Sequence, residues 1–289
     1  MAPASSSASR RRRTVVDRVD RVPRAVYRAL FVAVAVALWW LASTVLFPTV
    51  IPTVGSTLET VWHLLTGADF YRQLWVTTQR VLLGFAIAFV AGLVIGTAMG
   101  RSKAVEAFFE MFIVIGTSQP GLFVSMIILV ALGLSSSSAI ITLGYLATPI
   151  ITVSIWQGAK RMDVNLEEVA TVFGYSRMAR IRHVILPQLA GPALAAVRTG
   201  LGITWKYVVM IEMLGLTEGV GYEVTRSFQL FDLRSVIAWT ICFLAFVLLV
   251  EYLVIRTVER RIYGWRDRAA GKLDAAETAA EDVSLVAHA

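Results

Sequence analysis

Apolar residues run along this chain in blocks long enough to cross a bilayer, and polar residues gather between the blocks. About 20 helical residues, at about 1.5 Å each, span a hydrocarbon core of about 30 Å. The blocks cover residues 29–47, 81–99, 104–134, 139–156, 189–213 and 236–256. They predict an all-α, polytopic membrane protein with six transmembrane helices. The third block is interrupted at Gln119-Pro120-Gly121. Its first half, ending at Ser118, would reach only about 22 Å, short of a crossing. The whole block therefore reads as one crossing with a Pro-Gly break. Such a break is tolerated where the backbone is buried in protein or lines a watery cavity, so it is placed near a translocation path. A kink absorbed by neighbouring helices is the other reading.

Charge gives these crossings a direction. Basic residues cluster at Arg10 to Arg13 and onward to Arg28, at Arg101 and Lys103, and at Lys160 and Arg161. Further clusters lie at Arg177, Arg180 and Arg182, and at Arg256, Arg260, Arg261, Arg266 and Arg268. Six crossings put every cluster on the cytoplasmic side, as the positive-inside rule requires, with both termini inside. The far side keeps Arg72, Arg226 and Arg234, with Arg80 at a border. Residues 1–28 then form a basic cytoplasmic tail, 29–268 the transmembrane domain with a cytoplasmic loop at 157–187, and 269–289 a disordered tail. The first block is longer than a signal-peptide core and holds Trp39 and Trp40, so it predicts a retained helix. Outside, Ser56 and Glu59 have capping-box spacing and start a short surface helix.

Composition agrees with a bilayer protein: 57% of residues are hydrophobic, 16% are charged, and mean hydropathy is +0.68. The pI near 9.8 alone would allow a nucleic-acid partner, but the basic residues flank the membrane blocks, which points to lipid and orientation instead. Cys242 stands alone, so no disulfide forms within the chain. His63, His183 and His288 fall in separate compartments, and no metal site is expected.

The stretch 165–187 is unlike its neighbours. Leu166, Val169, Ala170 and Phe173 share one helical face. Asn165 can cap that helix, with Glu168 three residues on, and Gly174 is placed to end it in a left-handed conformation. Ser176 can cap a second helix with Met178, Ile181, Val184 and Ile185 on its apolar side. Arg177, Arg180, Arg182 and His183 take its polar side, and Pro187 closes it. Two apolar stripes on an inside loop need a cover. The inner lipid surface and a socket on a soluble partner both fit.

Ionisable residues inside a bilayer are costly and mark function. Arg198, Lys206 and Glu212 lie in the fifth block. Arg198 can snorkel toward the inner headgroups. Lys206, nearest the middle, can attract an anionic solute or pair with a neighbouring helix. It is about 240° around the helix from Glu212, so the two do not pair within it. Glu212 is expected near the outer end, in contact with solvent. Thr117, Gln119 and Trp205 are further pathway candidates. No Walker A pattern occurs, so the chain is no ATPase, and no catalytic constellation is visible that would make it a membrane enzyme.

Glu168-Val169-Ala170, then Gly174, Val184, Leu186 and Pro187 resemble the cytoplasmic EAA loop of ABC importer permeases, with matching spacing throughout. Val169 stands for the first Ala of that motif and Val184 for Ile. The stretches QRVLLGFAIAFVAGLVIGTAMGRS and VRTGLGITWKYVVMIEMLG, with RRIYGWR near the end, are similar to the nitrate/sulfonate/taurine branch. The uncharged QPGLFVSMIILVALGLSSSSA departs from that branch, which commonly carries a Pro-rich stretch with a charged turn there. The resemblance implies a type I (MetI-like) importer permease fold in a bacterial inner membrane. It implies that Glu168, Ala170, Gly174, Val184, Leu186 and Pro187 dock on a cytoplasmic ATPase dimer, which binds the ATP and Mg²⁺; this chain holds no cofactor. A second permease copy, with a homodimer favoured over a sister subunit, and an extracytoplasmic binding protein complete the assembly. The favoured solute is a sulfonate- or nitrate-type anion, with a heterocyclic vitamin precursor or aromatic acid as the alternative. A membrane scaffold whose loop binds lipid is the rival outside transport.

Overall fold

A computed structural model describes residues 24–253 of the chain. Residues 1–23 of the basic tail, the tail after residue 268 and RRIYGWR lie outside the described residues, and residues 24–28 belong to the first helix rather than to a tail. The described part is all helical, with no strand. Helix α1 (Arg24–Leu41) runs into a π turn (Ala42–Leu46), and α2 spans Val54–Thr66. Then come α3 (Ala68–Arg101), α4 (Lys103–Ser118), α5 (Gly121–Leu132) and α6 (Ser136–Lys160). Helices α7 (Val164–Val172) and α8 (Arg177–Arg180) form the loop, followed by α9 (Leu186–Met213) and α10 (Val220–Gln229). The last span, α11, covers Leu233–Leu253.

The centre is the pair α3 and α6. Gly84 seats on Leu143, Gly92 on Ile151, Gly96 on Ile155 and Gly100 on Ala159. Small residues along one ridge let two backbones approach where no hydrophobic effect separates helix from lipid. The contacts advance in step along both chains, so α3 and α6 run parallel. Helix α9 packs antiparallel to α6, with Pro192 on Gly158 and Gly200 on Ile151. Helix α11 is antiparallel to α9, with Phe243 and Phe246 against Trp205. Gly96→Ala would bring its Cβ to 2.8 Å from both Ile155 Cβ and the Thr152 carbonyl. It is expected to destabilise the bundle by about 1–3 kcal/mol, read as a lower melting midpoint in detergent.

The third block bends sharply. The α4 and α5 axes meet at 102°. Pro120 disfavours helix at Gln119, which is extended at φ −71°, ψ 141°. Gly116 seats on Pro149 and packs the last turn of α4 against α6. The pair still returns the chain across the bundle: Glu106 pairs with Lys160 at one end of α6 (2.6 Å), and Ser138 bonds the Gly133 carbonyl at the other (2.5 Å). Parallel α3 and α6 require that return.

Four helix ends differ from the sequence reading in ways that bear on the site. Helix α3 starts at Ala68, 13 residues before the apolar block that began at residue 81, and its added turns carry Gln73, Thr77 and Arg80 into the core. Helix α2 is capped by Thr53, whose hydroxyl accepts from the Ser56 amide at 3.3 Å, rather than by Ser56 with Glu59. Helix α7 is capped by Asp163, whose Oδ1 accepts from the Asn165 amide at 2.9 Å, so Asn165 is no cap and Glu168 has no capping role. Pro187 closes nothing. A π turn at Ile181–Ile185 widens the helix just before it, and Leu186 bonds back to Ile181, so the chain runs as one helix from Arg177 to Met213.

Candidate functional site

Three constellations stand out. The first is the loop 157–187. Helix α7 ends in a paired turn: the Tyr175 amide donates to the Ala170 carbonyl and Gly174 to Thr171, both at 3.0 Å. Gly174 holds φ +70°, the left-handed conformation such an ending needs. Ser176 Oγ accepts from the Ala179 amide at 3.3 Å and starts the second helix. Arg180 donates to Thr171 Oγ1 at 3.1 Å, locking the two helices at a fixed angle. Ala170, Val184 and Pro187 meet in the cleft between them, and Ala170 is buried. Leu186 is half exposed on the other side. The outer surface is apolar and uncovered, with Val172 at 85%, Phe173 at 75% and Met178 at 72% exposure. Glu168 is exposed and makes no hydrogen bond or ion pair among the described residues. At the base, Gln188 Oε1 accepts from the Asp163 amide at 2.8 Å and ties the loop to α9.

The second is a row along α9. Gln188, Pro192, Ala195, Thr199, Gly202 and Lys206 recur every three or four residues and share one face. The row starts at a cavity of about 420 Å³ beside Ser154, Gln157 and Arg161. Arg198 and Lys206 are both exposed on or beside the row and pair with nothing among the described residues. The bend of the third block lies close by. A Cβ on Gly121 would come within 3.0 Å of Tyr207. Gln119 Nε2 is buried there without a hydrogen-bond partner, while Thr117 bonds its own helix at Ile113. Trp205 is not on the row. It is buried between the edges of Phe243 and Phe246, because its position on α9 faces α11.

The third is a buried ion pair that the sequence reading missed. Glu212 is fully buried rather than solvated. Arg80 Nη1 lies 2.7 Å from Glu212 Oε1 and also donates to the Glu218 carbonyl at 2.7 Å, while Nη2 donates to Ser136 Oγ at 2.8 Å. Thr77 donates to the Glu212 carboxylate and accepts from the Val220 amide. The Gly221 amide donates to Glu212 Oε2 at 2.9 Å, and the Gly219 amide to Gln73 Oε1 at 2.7 Å. Gly219 holds φ +109°, and a Cβ there would strike the Glu212 carboxylate. The cluster clamps α3, α6, α9 and the turn opening α10. Its sequence signal was Gln73-Thr77-Arg80, a polar row at i, i+4, i+7 on one helix.

This chain belongs to the family of the binding-protein-dependent transport system inner membrane component, whose profile matches residues 84–263, more than half of it. It is 29% identical over 244 residues to the putative aliphatic sulfonates transport permease protein SsuC of Bacillus subtilis, covering 84% of this chain and 88% of that one. It is 25% identical over 240 residues to the taurine transport system permease protein TauC of Escherichia coli, covering 81% and 87%. A crystal structure of an amino acid ABC transporter shares the fold at a TM-score of 0.56 and 19% identity, covering 71% of this chain and 98% of that one. The chain is therefore an inner-membrane permease subunit of an ABC importer and not an enzyme. Membership implies an ATPase and a binding protein as partners.

Proposed function

We propose that this subunit carries a small oxyanion, of sulfonate or nitrate type, along the exposed row of α9. The observation that carries the reading is the pair of unpartnered cations, Arg198 and Lys206, on a face otherwise made of small and polar residues. An uncompensated charge against lipid is costly, so a row of this kind belongs beside water. The names of the sulfonate and taurine relatives support the same chemistry. Arg198 lies near the middle of α9 and Lys206 two turns further on, beside Tyr207, which the bend of the third block meets at Gly121. Trp205 and Glu212 support the row from behind.

On this reading both termini and the loop 157–187 face the cytoplasm, and residues 29–268 act as one transmembrane domain. A second copy of the chain closes the pathway on the open side of α9. The ATPase dimer receives the apolar surface of α7 and α8, and keeps the ATP and Mg²⁺ to itself. Because α8, the π turn and α9 are continuous, a push on the loop reaches the row as a rigid-body motion.

A binding protein sets capture, so Lys206 acts after delivery. Lys206→Gln is expected to lower the solute moved per ATP about tenfold or more, as the loss of one charge contact implies, with ATP hydrolysis retained. Lys206→Arg should stay within about threefold. Uptake of labelled ethanesulfonate or nitrate into proteoliposomes holding the co-purified complex measures this. Unchanged stoichiometry in Lys206→Gln would remove Lys206 from the path.

A further inference from the structure

Arg198 and Lys206 are not alone. Glu251 is the one residue between Arg234 and Arg256 that is charged at neutral pH, in the apolar run of α11. Its carboxylate lies over α9: a Cβ built on Gly202 would be 3.1 Å from Glu251 Oε1. Gly202 sits one turn from Arg198 and one turn from Lys206. The three positions follow an i, i+4, i+8 ridge, so the carboxylate stands between the two cations. It is half-buried and makes no ion pair or hydrogen bond among the described residues. A Cβ at 202 would crowd it, and the carboxylate would have to give by a few tenths of an ångström.

An acid beside an anion path has two effects. It lowers the row from two positive charges to one, and it offers the cations a partner when no solute is present. Conduction needs binding strong enough to admit a solute and weak enough to release it. Two free cations at membrane depth would hold an anion tightly and let it go slowly.

We infer that Glu251 is the resident counter-ion of the Arg198–Lys206 row, a built-in competitor that the solute anion displaces, so that it sets how tightly the row holds an anion. Arg198 and Lys206 can both swing to it across Gly202, since each reaches about one helical turn. Solute entry moves one or both onto the anion, and their return to Glu251 expels it. The row then suits a single negative charge, because two cations, one carboxylate and one monoanion sum to neutrality. This inference rests on the reading of α9 as an anion path.

The test uses the full permease–ATPase complex in detergent without its binding protein, and labelled ethanesulfonate as the probe. Glu251→Gln should bind the probe about tenfold tighter than the unaltered complex and carry it more slowly per ATP in proteoliposomes. Gly202→Ala crowds the carboxylate without removing it, and should shift binding the same way by up to about threefold. Infrared difference spectra on adding the probe should show a carboxylate change in the unaltered protein that is absent in Glu251→Gln, a signature no packing role produces. Binding unchanged in both variants, or a carboxylate signal that survives in Glu251→Gln, overturns the assignment while leaving the anion path standing. Absence of probe binding and uptake in the unaltered protein, with nitrate equally inert, overturns the path itself.

Discussion

Arg80→Ala is expected to destabilise the folded subunit by about 3–5 kcal/mol, the cost of leaving one partner of a buried ion pair uncompensated. The side chains of Arg80 and Glu212 are only 4% and 0% exposed, so neither water nor headgroups can take over. Loss of Arg80 leaves Glu212 with the Thr77 hydroxyl and the Gly221 amide as its donors. Glu212→Gln should be similarly damaging from the other side, since Arg80 keeps only the Glu218 carbonyl and Ser136. Arg80→Lys should recover little, because an ammonium cannot fork to Glu212, Glu218 and Ser136 together. The double variant Arg80→Ala with Glu212→Gln should lose much less than the sum of the two singles, because no unpaired charge is left buried. Melting midpoints of the detergent-solubilised complex, followed by size exclusion, measure all four. If the singles fall within about 1 kcal/mol of the unaltered protein, the clamp is not what holds α10 to the bundle. A sum of singles that matched the double would show the two residues acting independently.

How much of this was legible beforehand depended on how local each feature is. The loop's shape could be read because a glycine ending and a serine cap are fixed by a few neighbouring residues. Gly174 and Ser176 act as expected, while the starting cap moved two residues back, from Asn165 to Asp163, and Pro187 did not close the second helix. The spans could be read because apolar length is a property of the run itself. The polar start of α3 could not, because Gln73, Thr77 and Arg80 are tolerated in the core only through Glu212 and the turn 218–221, more than 130 residues away. For the same reason Glu212 looked like a solvated helix end. Lys206 and Arg198 were found from charge alone, but which face they share needs the packing of α6 and α11 around α9. That packing turns Trp205 inward. The 102° bend was seen only as a break, since the contacts on either side of it, Gly116 on Pro149 and Gly121 on Tyr207, join residues far apart in the chain.

Gly174→Val is expected to cut ATPase docking about tenfold or more while the protein still inserts and folds. The backbone at Gly174 is at φ +70°, where an L-residue costs roughly 1–2 kcal/mol, or about 5–30-fold in an equilibrium, and a β-branched residue sits at the top of that range. Nothing lies within 4 Å of a Cβ built there, so the penalty comes from conformation and not from a clash inside this chain. That separation makes a graded series informative. Asn visits the left-handed region far more readily than Val, so Gly174→Asn should keep docking within about threefold if the turn is all that matters. If Gly174→Asn fails as badly as Gly174→Val, the glycine is needed because the ATPase backbone presses against it, and the docking surface extends over the turn itself. The paired turn supports the first outcome: Tyr175 and Gly174 both bond back to α7, and the angle they set is the one at which Arg180 meets Thr171. Strain the turn, and α7 loses its fixed angle to α8, so the surface the two helices share no longer fits the ATPase and no push enters the continuous helix that leads to Lys206. Purification of the tagged subunit with its ATPase reads docking, and uptake by the same preparation reads coupling. A lipid-lying loop would show neither loss, because two separate amphipathic helices can settle on a headgroup surface at any mutual angle.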